Sequence, residues 1–412
     1  MKKIESHTDV LVIGAGPSGC VASAYLHKND VRVKVVEKNH FPRFVIGESL
    51  LPRCMEHFEE AGLLEALQAQ NFEVKRGARF TRKDEICEFH FDEKYGEGWD
   101  WTWQLPRADF DNVLAQEVIR KGVDLTFGAE VVAVDFAEDG SSTTLVKHEN
   151  GDEETIHAKF IIDSSGWGRV LPRLLGLDKP SALPKHSSIF THIKDERRPD
   201  GFEGTRISFD ILDNNTWLWV IPFSNGVTSL GLVSTTEFVE SFGGSQKEKF
   251  IEILKLFPRY KDRFIDLDLL FEPIILRNVA KSVSQLYGRG FALTGNSAEF
   301  LDPVFSSGVT FATESGLLAA KLISKQLKGV DVDWQTDYAD HISYGVNVFS
   351  SYVKEWYTGN LQELFFAPNI NDSVKEQICA VLAGYVWDTS NPFVLKHDRA
   401  IKSLAHVLSL QR

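Results

Sequence analysis

The sequence predicts an α/β chain, α+β overall: a Rossmann-like unit, an antiparallel sheet inserted into it, and a helical C-terminal region. Three observations carry this. Val10-Leu11-Val12-Ile13 is a buried-strand run that feeds Gly14-Ala15-Gly16-Pro17-Ser18-Gly19 and then a helical pattern through Val21, Ala24, Tyr25 and Leu26. A second strand at residues 31–36 ends in Glu37, completing a strand–helix–strand unit whose crossover is right-handed. From about 181 to 275 the texture changes to strand-spaced segments at 187–194, 205–211, 216–222 and 227–234, separated by turn residues.

The remaining elements follow in order. Helices are expected around 52–70 and 108–121, with strands at 128–136, 142–148 and 160–163. A helix near 246–257 follows the inserted sheet. Another runs from Gly308 to Leu327 after the strand-like Phe291-Ala292-Leu293-Thr294-Gly295. Beyond about 331 the pattern is helical, with Phe349, Val353, Trp356, Tyr357, Leu361 and Phe365 on one stripe.

The chain has 412 residues, 43% apolar and 25% charged, which allows two or three domains and excludes disorder and fibrous classes. Asp and Glu number 58 against 45 Lys and Arg, so no broad basic surface invites nucleic acid or an anionic membrane. Cys20, Cys54, Cys87 and Cys379 are scattered without metal-ligand spacing. No metal site is expected, and the cysteine usage fits a reducing compartment. With no signal-peptide pattern and no long apolar stretch, a cytoplasmic protein without integral membrane association is expected.

Gly14, Gly16 and Gly19 stand in G-x-G-x-x-G spacing. The first serves the tight turn, the second the close approach of a pyrophosphate, and the third helix–strand packing. The phosphate would sit at the helix start, with Ser18 beside it. Glu37 can accept bonds from ribose hydroxyls and argues against a 2′-phosphate. Lys38 and Arg107 complete this group of cofactor-binding candidates. Ser307 and Gly308, ahead of a helix, offer backbone N–H groups to an anion.

With these motifs the chain resembles the FAD family built like p-hydroxybenzoate hydroxylase. Ile162-Asp163-Ser164-Ser165-Gly166 is similar to that family's Asp-Gly segment, and 291–298 to its late Gly-Asp segment. The resemblance makes Asp163 and Asn296 cofactor-binding, with Asn296 standing where the family carries an acid on the ribityl chain. It implies FAD held non-covalently in a discontinuous domain of residues 1–180 and 275–330. Residues 181–274 would then form a substrate domain, to which about 81–99 contribute, and 331–412 the helical region. No second glycine fingerprint for a built-in nicotinamide domain is present. Electrons would therefore come from a transiently docked nicotinamide or from a separate flavin reductase.

Within that superfamily the chain most resembles flavin-dependent halogenases. The residues that carry this are Phe41-Pro42-Arg43 through Gly47-Glu48-Ser49-Leu50-Leu51-Pro52, Trp217-x-Trp219-x-Ile221-Pro222, Phe300-x-x-Pro303-x-x-Ser306-x-Gly308, and Lys75 ahead of Gly77-Ala78. The resemblance implies that Lys75 holds hypohalous acid. It makes Trp217 and Trp219 a barrier between flavin and substrate, and it places Ser306 in the catalytic group, with chloride or bromide as co-substrate. Relatives acting on tryptophan carry a glutamate where this chain has Phe305. A phenolic or pyrrolic substrate, free or carrier-tethered, is therefore expected rather than tryptophan. A dehydrogenase or reductase of the geranylgeranyl reductase type remains open, as does an aromatic monooxygenase. A flavin-binding protein without catalysis is a further alternative.

Overall fold

A computed structural model describes residues 2–181, 185–264, 266–277, 281–368 and 370–410. Its first sheet runs, in spatial order, Tyr287–Gly288, Phe291–Leu293, Glu153–Asp163, Lys3–Ile13, Val33–Glu37 and Asp124–Phe127; Ala129–Phe136 and Ser142–His148 extend it beside Glu153–Asp163. From Phe291–Leu293 to Asp124–Phe127 the neighbours pair in parallel, and Ile13, Asp163 and Leu293 lie level in register. Three strands therefore end together and deliver Gly14, Ser164 and Thr294 to one edge, where open α/β sheets bind ligands.

The first strand begins at Lys3, well before the apolar run. Residues 3–7 alternate between exposed and half-buried, so the edge-facing half of the strand carries no hydrophobic run to betray it. For the same reason the strand expected at 160–163 extends back to Glu153.

The second sheet is ordered Asp268–Leu269, Ser187–Lys194, Val227–Ser234, Trp217–Pro222, Ser208–Ile211, Gly77–Arg82 and Glu85–His90, with Ile274–Arg277 beside Ser187–Lys194. Its far edge is a hairpin from residues 77–90, joined through the parallel pair Ser208–Ile211 and Arg79–Arg82. The segment read as one strand at 205–211 is a helical turn, Phe202–Thr205, followed by Ser208–Ile211.

Strand alternation gives this sheet two covered faces. Leu218, Val220 and Leu230 pack on Phe250, Ile253 and Phe257 around the helix Gln246–Leu254, which opens with a Ser245–Glu248 capping box. Trp217 and Trp219 point the other way, into a cluster with Phe349, Val353, Trp356, Leu361 and Phe365 of the C-terminal helices. Tyr357, read on the same stripe, ends the helix His341–Tyr357 half-buried. Against the first sheet, Pro17–Lys28 packs on Gly308–Leu327 so closely that a Cβ on Gly316 would stand 2.6 Å from the Ser18 carbonyl. Among the described residues, no helix is long and apolar enough to cross a membrane. The four cysteines are buried and unpaired.

Candidate active site

A cleft of about 440 Å³ opens at the edge where the three parallel strands end. Gly14, Gly16, Ser18, Glu37, Lys38, Arg107, Asn296 and Gly308 line it. Gly14 takes φ +98°, and a Cβ there would come within 2.5 Å of the Ser164 carbonyl, so only glycine makes the turn. At Gly16 a Cβ would meet only the Arg43 guanidinium, 3.8 Å away, which leaves a recess a diphosphate can enter. Gly19 lies under the loop rather than in the lining: a Cβ would overlap the Gly14 carbonyl.

Behind the lining, Thr294 bridges the strand ends. Its hydroxyl meets those of Ser18 at 2.7 Å and Ser164 at 2.8 Å. Asp163 is fully buried, and its carboxylate accepts from the Ser165 N–H, the Ser297 hydroxyl and the Leu171 N–H. It holds the wall from behind instead of facing the cleft. Glu37 accepts the Ala15 N–H on one oxygen and the Asn39 N–H on the other, which orients it at the cleft margin. Ser307 is buried at the start of the long helix, next to the exposed Gly308.

Two guanidiniums share one buried carboxylate in the wall. Arg107 grips Asp111 bidentately at 2.8 and 3.0 Å and donates to the Ile46 and Gly47 carbonyls, while Arg43 reaches Asp111 at 3.3 Å. The set carries a net positive charge into the cleft, and the buried Nε of Arg43 has no hydrogen-bond partner. A recess at Gly16, an unsatisfied guanidinium nitrogen and a helix start together fit an anionic dinucleotide. Arg43 and Asp111 were not among the sequence-derived candidates; the only local signals were the Phe41-Pro42-Arg43 stretch and the four-residue spacing of Arg107 and Asp111.

Lys75, Trp217, Trp219 and Ser306 are absent from the cleft lining. Lys75 is 3% exposed on the short strand Glu73–Lys75; its ammonium donates to the Ser49 hydroxyl at 2.9 Å and the Leu50 carbonyl at 2.8 Å, with the Phe91 ring 5.4 Å away. Both acceptors are neutral, and burial pushes its pKa down to about 7. Trp219 donates to the Ser229 hydroxyl at 3.1 Å and Trp217 to the Tyr357 hydroxyl at 3.4 Å, their rings 6.1 Å apart. Tyr357 in turn donates to Asp302 at 2.7 Å. Burial raises the pKa of Asp302, which caps the turn leading to Ser306 through the Val304 N–H. Ser306 sits at φ +56°, and Phe305 is buried edge-on against Tyr352 and Trp356. Outside this region, Glu5, His7 and His157 cluster near the molecular surface, where His157 already pairs with Glu5.

Residues 7–191 match the family model described as FAD binding domain. A 1H-pyrrole-2-carbonyl-[peptidyl-carrier protein] chlorinase of Pseudomonas fluorescens is 28% identical, the alignment covering 95% of this chain and 92% of that protein. A solved flavoprotein/dehydrogenase from Cytophaga hutchinsonii superposes with a TM-score of 0.96 at 48% identity, covering 98% of this chain and 99% of that one. The flavin-dependent brominase Bmp2 has the same fold, with a TM-score of 0.84 at 23% identity over 98% and 100% of the two chains. The likeness spans both sheets and the helical tail as well as the cofactor cleft, and the chain belongs to the flavoproteins, an FAD-dependent oxidoreductase whose fold is shared with flavin-dependent halogenases.

Proposed function

We propose that the protein halogenates an electron-rich phenolic or pyrrolic aromatic, with chloride or bromide as co-substrate. The observation that carries this is the buried Lys75 amine, whose pKa falls to about 7. Bound FAD, once reduced, supplies with oxygen the oxidising equivalent that converts halide to hypohalous acid. The neutral Lys75 amine can accept a hydrogen bond from that acid. It can also exchange an N–H proton for halogen, releasing water. An ordinary lysine, protonated at neutral pH, has no lone pair for either role. The Trp217–Trp219 wall and the apolar Phe305 support the same reading, since a phenol or pyrrole activates its own ring carbon.

Likeness to the pyrrole-carrier-protein chlorinase supports a carrier-tethered substrate. A separate flavin reductase would supply the electrons. Residues 1–180 with 275–330 serve as the cofactor domain in this reading and 181–274 as the substrate domain. Four unpaired thiols fit a cytoplasmic setting.

The test is bromination of an acidic diketone trap by the reduced holoenzyme given air and bromide. Wild type brominates, whereas Lys75→Ala and Lys75→Arg retain FAD and lose bromination. The arginine variant fails because a guanidinium with pKa above about 12 stays charged. Normal bromination by Lys75→Ala overturns the role of the lysine. The Cytophaga neighbour, described as a dehydrogenase, favours a second reading. Slow reoxidation in air without halide dependence would establish that reading instead.

A further inference from the structure

We propose that His192, oriented by Glu48, is the base that takes the acidic proton of the aromatic substrate, an inference that rests on the halogenase reading above. Where tryptophan-acting relatives carry a glutamate, Phe305 is buried among the rings of the C-terminal helices and supplies no carboxylate. A phenol or pyrrole still reacts fastest once its O–H or N–H proton has left. The structure holds a buried acid–imidazole pair that is absent from the lining of the cofactor cleft.

Glu48 is 2% exposed. Its Oε1 lies 2.7 Å from His192 Nε2, with angles short of hydrogen-bond geometry, and its Oε2 has no partner. Such a misaligned contact is common at catalytic pairs before substrate binds. A buried carboxylate with an unfilled oxygen is costly, and such groups concentrate at functional sites. With Nε2 facing Glu48 but not hydrogen-bonded, the tautomer protonated at Nε2 is the one that leaves the Nδ1 lone pair free for substrate. Nδ1 has no hydrogen bond among the described residues, and the side chain keeps 12% exposure.

The surroundings suit a planar aromatic. Phe44, Phe223 and Phe271 stand edge-on around the imidazole, with ring centroids 5.1–5.6 Å away. Phe44 also lines the cofactor cleft and is 45% exposed, so the box lies one ring behind the cleft wall. Phe190, two residues before His192 on the same strand face, packs on Trp219 at 5.9 Å, which connects the box to the tryptophan wall. Charged groups nearby are Glu48 itself, Arg107 on the Gly47 carbonyl and Arg198 on the Phe223 carbonyl. In the step proposed, the substrate O–H or N–H bond breaks, the proton passes to Nδ1, and the electron pair stays on the aromatic. Its ring carbon then attacks the halogen of the hypohalous acid, and the carbon–halogen bond forms as the halogen–oxygen bond breaks. The departing hydroxide takes the imidazolium proton and leaves as water, and loss of the ring C–H proton to solvent restores the aromatic.

The test uses the holoenzyme with bromide, scoring a series of phenols of graded acidity beside the acidic trap. His192→Gln is expected to lose on the order of 10²-fold in kcat/KM on weakly acidic phenols, and little on nitrophenols already ionised at the assay pH. Added imidazole should partly restore His192→Ala. Glu48→Gln should show the same dependence on acidity with a smaller loss. A loss equal across the series, or loss of FAD from the His192 variants, overturns the proposal and leaves a structural pair. Failure of wild type to brominate even the trap refutes the halogenase reading and this inference with it.

Discussion

Replacing Lys75 by methionine tests the site through stability, independently of any substrate. In the native protein the amine titrates at about 7 instead of 10.5, because burial removes its hydration and its two acceptors are neutral. At roughly 1.4 kcal/mol per pKa unit, holding the charged form in this pocket costs about 5 kcal/mol relative to the unfolded chain. The native pKa is depressed, so the contribution to stability is complete above pH 10.5 and is lost as pH falls to about 7. Between about pH 7.5 and 9.5 the unfolded chain holds nearly one more proton at this position. Wild-type stability should therefore rise over Lys75→Met by about 2.5 kcal/mol across that range. Urea unfolding of both holoproteins, followed by tryptophan fluorescence at several pH values, reads the difference directly. Methionine keeps the length of the apolar stem and leaves the Leu50 carbonyl without its donor, a loss that lowers the variant's curve by the same amount at every pH. Parallel curves would mean that Lys75 titrates normally in the native state, and the neutral-amine chemistry would lose its basis.

Two further outcomes follow from the cleft and its support. Gly16→Val should keep the fold and lose FAD, because its side chain enters a recess where a Cβ meets nothing nearer than Arg43 at 3.8 Å; an unchanged melting profile of the cofactor-free protein, with no yellow colour retained on gel filtration, checks this. Glu314→Gln should destabilise the protein by about 3–5 kcal/mol, since Arg53, His57 and His341 all converge on that buried carboxylate. Those three partners hold its pKa well below the usual range despite burial, so wild-type stability should fall in strong acid as Glu314 takes up its proton, a loss absent from the glutamine variant.

The cofactor edge was legible because its physics is local. A buried apolar run, glycines at fixed offsets and a strand-end acid need only their neighbours in sequence, and they fall on one cleft. The hairpin at 77–90 was not read as strands, because half-buried charges at Arg79, Arg82 and Glu88 and the exposed Glu85 interrupt the apolar alternation. Asp111 joins Arg43 to Arg107 across 68 residues, and Glu48 meets His192 across 144; neither link leaves a mark at short range. Lys75 is more instructive. The stretch Glu73-Val74-Lys75-Arg76 reads as a charged surface, yet in the strand Val74 is 40% exposed and Lys75 is buried. Hydrophobicity alone would set the opposite face inward, and such conflicts between local pattern and fold concentrate at functional or strained positions.

The segment 46–50 brings three otherwise separate groups into mechanical contact. The Ile46 and Gly47 carbonyls accept from Arg107 in the cofactor wall, Glu48 faces His192, and Ser49 with the Leu50 carbonyl holds the Lys75 amine. Two of these contacts are expensive: an amine buried without a counter-ion among the described residues, and a buried carboxylate with neither oxygen in a hydrogen bond. A flavin enzyme that only moves hydride to or from an isoprenoid-like chain requires neither, because its substrate has no acidic proton to remove and no hypohalous acid to hold. Substitution on a phenol or pyrrole by hypohalous acid has a use for both. The cost of these two groups therefore weighs against the dehydrogenase reading at the chemical end of the molecule, even though the 48%-identical neighbour bears that description.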